Sequence, residues 1–581
     1  MIYHALGASF ALGWLFPFYG LPIISFYQEW MSGASILAVL LAVAIAWGMK
    51  GRAMVVPHSA WWVVFYSGVG FVQVLLGDHP DPATVAIFLG IGLVFAAAVV
   101  VGANVASNEQ LIENVSFSKN FAIIIKWIYF SGVISSVFVL LQVGNADQYF
   151  FPLVRSPDLV LNRPSANFGQ PNLLTLQLVF SLVAAAYLHH VNSFGKNRHH
   201  FFWIVFILLA IFLANTRAYL LMCAAVALVS LKLRGEKTRI IRIWAFVLLP
   251  SWFLLSAPFH AELMDSLGYI GRGSLSTSFH GDGRLKIWDA SLHIIGQYPW
   301  LGVGVGAYAV GFYNEAQTTL GTVGPTGNAH NIVLQVFAEI GLVAGSILLL
   351  SILLWACRII KNRSLENWKI YCLAMMSAVA AHSMVEFPLW FVFFLVPCGV
   401  FVGMMDCQTS ERSAQSFAAA WIASLSVLGL AMALMVLLDY QKLRTDFEDA
   451  VTIGNSDAID RMRISSRRTI FDWHYEYARF LLLDENAVGD DFMWSLGRRV
   501  VPRFPFGRGL ARYAYFSFLA NKPGDAKTAL SVMYRMKPDL FEFYKQQNQE
   551  YCKIQVQPVM AYCGLASLAQ EITVEKNRVE N

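Results

Sequence analysis

GNAHNIVLQVFAEIGLVAGSILLLSILLWAC, residues 327–357, decides the class of the molecule. From Val333 to Cys357 it is an apolar run interrupted by one charged side chain, Glu339, and a run of about 20 such residues matches the hydrocarbon thickness of a bilayer. Ser35–Gly48, Trp61–Leu76, Val85–Val101 and Phe201–Ala214 repeat the pattern. Of 581 residues, 57% are hydrophobic and 14% charged, with a mean hydropathy of +0.53. A soluble domain carries about 45–50% apolar and about 25% charged residues. The expected fold class is an all-α polytopic membrane protein with about 13 transmembrane helices. The expected spans are 4–19, 32–49, 58–77, 83–106, 119–143, 171–191, 201–215, 217–232, 242–257, 330–357, 369–386, 388–405 and 417–439. Leu12–Gly20 runs into Pro and aromatic residues rather than a small-x-small site, so no signal-peptide cleavage is expected.

Charge placement sets the orientation. Alternate connections are basic, with Lys50 and Arg52, Lys119, Lys196 and Arg198, the cluster Lys232 to Arg242, Arg358 to Lys369, and Arg412. Short Lys/Arg-rich loops stay cytoplasmic. The N-terminus is therefore expected inside, and an odd number of spans sends the chain after Tyr440 outside. Four regions follow: an N-terminal bundle at 1–257, a large exterior loop at 258–329, further membrane helices at 330–440, and an exterior helical domain at 441–581. Cys552 and Cys563 fall in that last region, where an oxidising compartment permits a disulfide; two separate thiols are the other reading.

Three exterior segments exceed what a simple connection needs: Pro17–Trp30 (PFYGLPIISFYQEW), Gly144–Asn172 ending in RPSANFGQPN, and the stretch from Pro258 to Ala329. In the third, Asp282 is placed to cap a helix from Gly283, Leu285, Trp288, Leu292 and Ile295 recur as one apolar face, and Pro299 ends it. Such a helix suits either a membrane surface or the flank of a bundle. In the tail, residues 511–538 resemble one tetratricopeptide-like helical hairpin with a Pro-Gly turn.

Ionisable groups near membrane depth are costly and point to function. Arg217 lies in LANTRAYLL between two apolar runs, suited to snorkelling or to an anion. Arg163 opens RPSANFGQPN. Arg284, with Lys286, sits in the first turn of the amphipathic helix, where the helix dipole disfavours a cation unless an anion is bound. Arginine forks match phosphate geometry, and Gln170 and Asn172 add amides close to a helix N-terminus. His330 is the sharpest single residue. It is flanked by Asn328 and Asn331, with Gln335 and Glu339 on the following turns, and histidine is suited to accept a proton near neutrality. A structural interfacial histidine is the alternative. His382 and Glu386, four apart, share a helix face.

Some chemistries leave no trace in the sequence. It has no GxxxxGK[ST] phosphate loop, no HExxH, no CxxC pair and no exterior Asp-x-Asp pair. No metal, no cofactor and no nucleic-acid partner are expected; a donor carrying its own phosphate leaving group remains.

At these residues the chain resembles the O-antigen ligase and polymerase superfamily, and within it the bacterial O-linked oligosaccharyltransferases of the PglL, or pilin-glycosylating, type. The resemblance rests on PFYGLPIISFYQEW, with Gln28 where Asn is commoner, on RPSANFGQPN, on GRLKIWDASLHIIGQYPWLGVGVGAY and on GNAHNIVLQVFAEIG, in that order. It implies an undecaprenyl-diphosphate-linked glycan as donor and an acceptor protein, pilin or another periplasmic protein, at the outer face of a bacterial inner membrane. It also implies proton acceptance by His330 and diphosphate binding by Arg163, Arg217 and Arg284. Lipid A-core or a growing glycan end are alternative acceptors. A transporter of lipid-linked sugars is a reading from another class, although no internal repeat of the transporter kind is visible.

Overall fold

The structure, a computed structural model, describes the chain apart from residues 19, 78–80, 111–113, 157–162, 192, 194–198, 234–240, 243–248, 250–258, 261, 270–282, 318–323, 325, 363–364, 407–413, 453–455, 466–468, 484–488 and 581. Backbone alone is described at 108–110, 114–117, 199–200, 414–416, 452, 456–458 and 575–580. Two compact units emerge, one of residues 1–65, 89–281 and 348–435, the other of residues 66–88, 282–347 and 436–581.

The first unit holds α1 (Ile2–Leu15), α2 (Phe26–Gly48), α5 (Asn114–Val143), α6 (Pro171–His190), α7 (His199–Ala214), α8 (Ala218–Ser230), α12 (Asn367–Ser383) and α13 (Val392–Asp406). It also holds parts of α3 (Trp62–Leu75), α4 (Pro82–Gln110), α11 (Ile332–Lys361) and α14 (Ala419–Thr452). Among the described residues, six helices are long and apolar enough to cross a membrane, in α2, α4, α5, α6, α11 and α14. Each expected span except 242–257, which lies largely outside the described residues, meets a helix.

Packing separates these helices by role. Of the apolar window of α6, 83% is buried, against 11% for α14. The buried α6 uses its polar groups against α5: Gln177 Nε2 donates to Ser131 Oγ (3.1 Å) and Ser181 Oγ to the Ile128 carbonyl (2.9 Å). Small residues let backbones touch. A Cβ on Gly102 of α4 would stand 2.1 Å from the Val400 carbonyl oxygen of α13, and one on Gly403 would stand 2.0 Å from that of Val99. Phe10, Trp14, Phe180 and Phe394 form a buried aromatic cluster in the unit, and Trp14 Nε1 donates to the Phe393 carbonyl (2.9 Å). One feature departs from an all-α reading. β1 (Ala53–Pro57) pairs antiparallel with β2 (Ala414–Ala418), joining two connections distant in sequence.

The second unit contains α9 (Gly283–Gln297), α10 (Tyr308–Glu315) and a run of short helices: α15 (Ser456–Ser465), α16 (Asp472–Leu482), α17 (Asp490–Val500), α18 (Gly507–Leu519), α19 (Pro523–Met536), α20 (Pro538–Lys553) and α21 (Val559–Glu580). Phe480, Met493, Leu496, Tyr513, Leu530 and Met533 belong to one buried cluster there. α18 and α19 form the expected helical pair about a turn in which Asn521 has φ +56°, and Pro523 takes the start of α19. Pro there loses no helical hydrogen bond. Arg512 closes α16 by donating to the Phe480 carbonyl (2.6 Å). Cys552 and Cys563 are joined as a disulfide between α20 and α21, Cα–Cα 4.8 Å.

Two sequence expectations change here. α11 is not continuous, because Gly341 adopts φ 74°, ψ 173° inside it. On α9, the packed residues are Ile287, Ala290, Ser291, Ile294 and Ile295, while Leu285 and Leu292 of the expected apolar stripe are exposed. The expected cap Asp282 lies outside the described residues.

Candidate functional site

In the first unit, RPSANFGQPN is held by a buried glutamine. Gln142, near the end of α5, accepts from the backbone N–H of Ser165 (3.0 Å) and Ala166 (2.9 Å). Its amide donates to the carbonyls of Arg155 (2.7 Å) and Ala166 (2.9 Å). All four bonding directions of one side-chain amide thus go to one loop. Asn167 adds bonds to the Leu15 and Leu153 carbonyls and is itself held by Gln28, whose Nε2 donates to the Asn167 carbonyl (2.9 Å). PFYGLPIISFYQEW and RPSANFGQPN are therefore brought together through Gln28.

Arg163 is buried, and its guanidinium donates to the carbonyls of Ala214 and Asn215 (2.8 Å to the latter). Those carbonyls end α7, where the helix dipole favours a cation. The same turn leads into Arg217, half-buried at the N-cap position of α8. The structure thus joins Arg163 to the Arg217 turn and gives it a capping task as well. Gln170 stands at the N-cap position of α6, with Pro171 following. Asn172 Nδ2 donates to Glu386 Oε1 (2.7 Å), and the Glu386 N–H donates to the buried His382 carbonyl (2.9 Å). Glu386 therefore sets a carboxylate beside the first turn of α6, the place in which an anion is favoured.

In the second unit, His330 sits where the exterior loop meets α11, half-buried, with φ +49°. A non-glycine residue adopts that conformation only where its surroundings hold it. They do so on both sides. Asn331 caps α11, its Oδ1 accepting from the N–H of Val333 (3.0 Å) and Leu334 (3.2 Å), as a capping side chain does. The Ala329 N–H donates to Gln335 Oε1 (2.6 Å). Gln335 Nε2 then donates to Glu339 Oε1 (3.0 Å), one turn further along α11. Asn328 is tied locally, its N–H donating to Thr326 Oγ1 (3.1 Å).

Glu339 is fully buried and anchors this chain of bonds. Its carboxylate accepts from the Tyr66 hydroxyl of α3 and from the backbone N–H of Gly306 and Tyr308. The glycines of 302–306 make the approach possible. Gly302, Gly304 and Gly306 have φ of 72°, 108° and 71°, which glycine adopts without steric cost. A Cβ on Gly302 would lie 2.4 Å from the Glu339 backbone, and one on Gly341 would lie 2.2 Å from the Trp300 carbonyl oxygen.

The break at Gly341 exchanges helical bonds for loop bonds. The Leu342 N–H goes to the Pro299 carbonyl (2.8 Å), and the Ala338 carbonyl accepts from Val303 N–H (2.8 Å). Gln73 completes the seam, donating to the Leu301 and Glu339 carbonyls and accepting from Val305 N–H.

Tyr66 and Gln73 escaped the sequence reading. Their signal is faint: two polar side chains seven apart, hence on one face of the apolar run 61–76. Arg284 is half-buried and Lys286 exposed in the first turn of α9. The apolar face of that helix shares its cluster with Ala329 and Ala338, so α9 and the His330 loop are parts of one packed assembly.

Residues 202–349 match the O-antigen ligase family, and residues 370–550 match the C-terminal region of the virulence factor membrane-bound polymerase family. The first match contains Arg217, Arg284, His330 and Glu339. The chain is similar to the general O-oligosaccharyltransferase of Acinetobacter baylyi, 25% identical over 74% of both chains. It is also similar to the ComP-specific O-oligosaccharyltransferase of that organism, 23% identical over 87% of this chain and 89% of the relative. With its apolar helices, the molecule is a multi-pass membrane protein, and it resembles the O-antigen ligase superfamily and, within it, the O-linked oligosaccharyltransferases of the PglL type.

Proposed function

We propose that this protein transfers a glycan en bloc from undecaprenyl diphosphate to Ser or Thr hydroxyls of exported proteins such as pilin. The observation that carries the reading is His330, fixed in a left-handed conformation by a buried relay from Glu339 through Gln335 to Ala329. A proton acceptor has to be positioned before its pKa matters. The names of both relatives support a protein acceptor.

In this mechanism His330 takes the proton of the acceptor hydroxyl while its oxygen bonds to the anomeric carbon. The bond from that carbon to the diphosphate oxygen breaks, and the diphosphate leaves as an anion. Arg217, Arg284 and Lys286 are the cations assigned to it, stabilising charge as it develops. Arg163 is assigned to the same charge chiefly through its hold on the Arg217 turn. One displacement with no enzyme nucleophile inverts the anomeric carbon; a trapped glycosyl-enzyme would contradict it. The proposed orientation has about 13 spans, the N-terminus cytoplasmic and a tetratricopeptide-like helical region after residue 440 periplasmic in a bacterial inner membrane, because the basic connections alternate.

Purified protein in liposomes, given an undecaprenyl-diphosphate glycan with a Ser-rich pilin and a lipid A-core, tests the reading. Glycan on pilin with wild type, and none with His330→Ala, is the expected result. Transfer to lipid A-core alone would make the protein an O-antigen ligase, extension of the glycan itself a polymerase, and movement of intact lipid across the bilayer a transporter.

A further inference from the structure

Within the second unit, a cleft of about 1050 Å³ opens among the C-terminal helices, α10, the end of α3 and the start of α4. Its lining includes three arginines, Arg498, Arg499 and Arg503, two of them held against aromatic rings, with Lys522 stacked nearby. The Arg503 guanidinium lies 3.9 Å from the centre of the Trp473 ring. Arg498 lies 5.7 Å, and Lys522 5.3 Å, from that of Trp494. Arg499 reaches Glu476 at 3.4 Å. Stacking of this kind fixes a guanidinium without consuming its donors.

The carboxylates that line the cleft are fewer. Asp525 is engaged by Trp494 Nε1 (2.8 Å), leaving Asp81 as the other acidic residue in the wall. Trp473 Nε1 is buried and has no hydrogen-bond partner, a state that normally calls for an explanation. The wall therefore offers donors in excess, over a volume far larger than a single ion needs.

We propose that this cleft docks an acidic segment of the acceptor polypeptide. Arg498, Arg499 and Arg503 take its carboxylates, and the Trp473 indole N–H takes a carbonyl oxygen. The proposal rests on the protein-acceptor reading above. A glycan is the less suited occupant, because sugar rings stack on bare aromatic faces, and here each tryptophan already carries a cation on its ring.

The test uses the full-length protein in detergent. Binding of a fluorescein-labelled Asp/Ser peptide and of its Asn/Ser counterpart is measured by anisotropy, and pilin glycosylation is followed at varied acceptor and varied lipid-linked donor. The triple variant R498Q/R499Q/R503Q is expected to raise the acceptor KM about tenfold or more, with kcat and donor KM unchanged. It should also lose the Asp/Ser peptide, which wild type binds in preference to the Asn/Ser one and releases with salt. Thr528→Trp, which sets a large ring into the cleft wall and leaves the arginines in place, should give a loss of peptide and acceptor in the same direction. An unchanged acceptor KM in both variants, or a raised donor KM instead, would overturn the proposal. Should wild type glycosylate no protein, the reading of the reaction fails, and the peptide measurement alone decides the cleft: preferential binding lost in both variants supports it, and no preference refutes it.

Discussion

The loop ending at Asn172 and the loop ending at Asn331 face the same task, delivering a polar segment to the start of a membrane helix, and each is pinned by one buried glutamine. They differ in where the pin is anchored. Gln142 comes from the neighbouring helix α5 and meets backbone groups in all four directions. Gln335 comes from the helix that the loop enters, makes one bond to the loop, and passes its other end to a carboxylate. The first arrangement is neutral and local, and suits a scaffold. The second places an ionisable group two steps from His330 and ties it to Tyr66 and the glycine segment. Buried polar networks of the second kind have more at stake, since each bond lost leaves other members unsatisfied.

That contrast can be broken most directly at His330. His330→Ala should lower the transfer rate by about 10²–10⁴-fold, the range of a positioned general base, with unchanged thermal unfolding in detergent. An effect under threefold would remove the residue from the chemistry.

Next comes the anchor. Glu339→Ala strands a tyrosine, an amide and two backbone donors, each costing about 1–3 kcal/mol. It should depress both unfolding temperature and kcat, whereas Glu339→Gln, which keeps acceptor capacity, should recover most of the stability. Equal damage from both variants would show that the charge, rather than the hydrogen bonds, holds the loop.

The two glutamines then give the sharpest comparison. Gln335→Ala is expected to cut kcat about tenfold or more for a stability loss of about 1–2 kcal/mol. Gln142→Ala, losing four bonds, should cost more stability, about 2–4 kcal/mol by the same scale, with a smaller kcat change for the protein that remains folded. The reverse order in a paired measurement would make Gln142 the functional pin.

The smallest effect is expected at the disulfide of the tail. Cys552→Ser with Cys563→Ser opens a short covalent loop, sequence separation 11, and should cost about 2–3 kcal/mol in the stability of the tail. Glycan transfer to pilin at low temperature should be nearly unaffected.

Much of this was legible in the sequence because it is local. Long apolar runs report helices of membrane length. His330 and its neighbours stood out because polar groups are rare at that depth. The apolar stripe of α9 was misleading for a related reason. In a chain with membrane helices, apolarity no longer marks the inward face, and Leu285 and Leu292 are exposed while Ile287 and Ile294 are packed.

Sequence alone determined the class of the molecule, most of its apolar helices and the family it resembles, all properties carried by residues close together along the chain. Tertiary structure alone decided which groups meet. It put Tyr66 on Glu339 across 273 positions, set Arg163 on the end of α7, paired β1 with β2, and built the arginine-lined cleft from the end of α3, the start of α4, α10 and the C-terminal helices. Such pairings depend on how helices pack, and the spacing of residues along one chain holds no record of it.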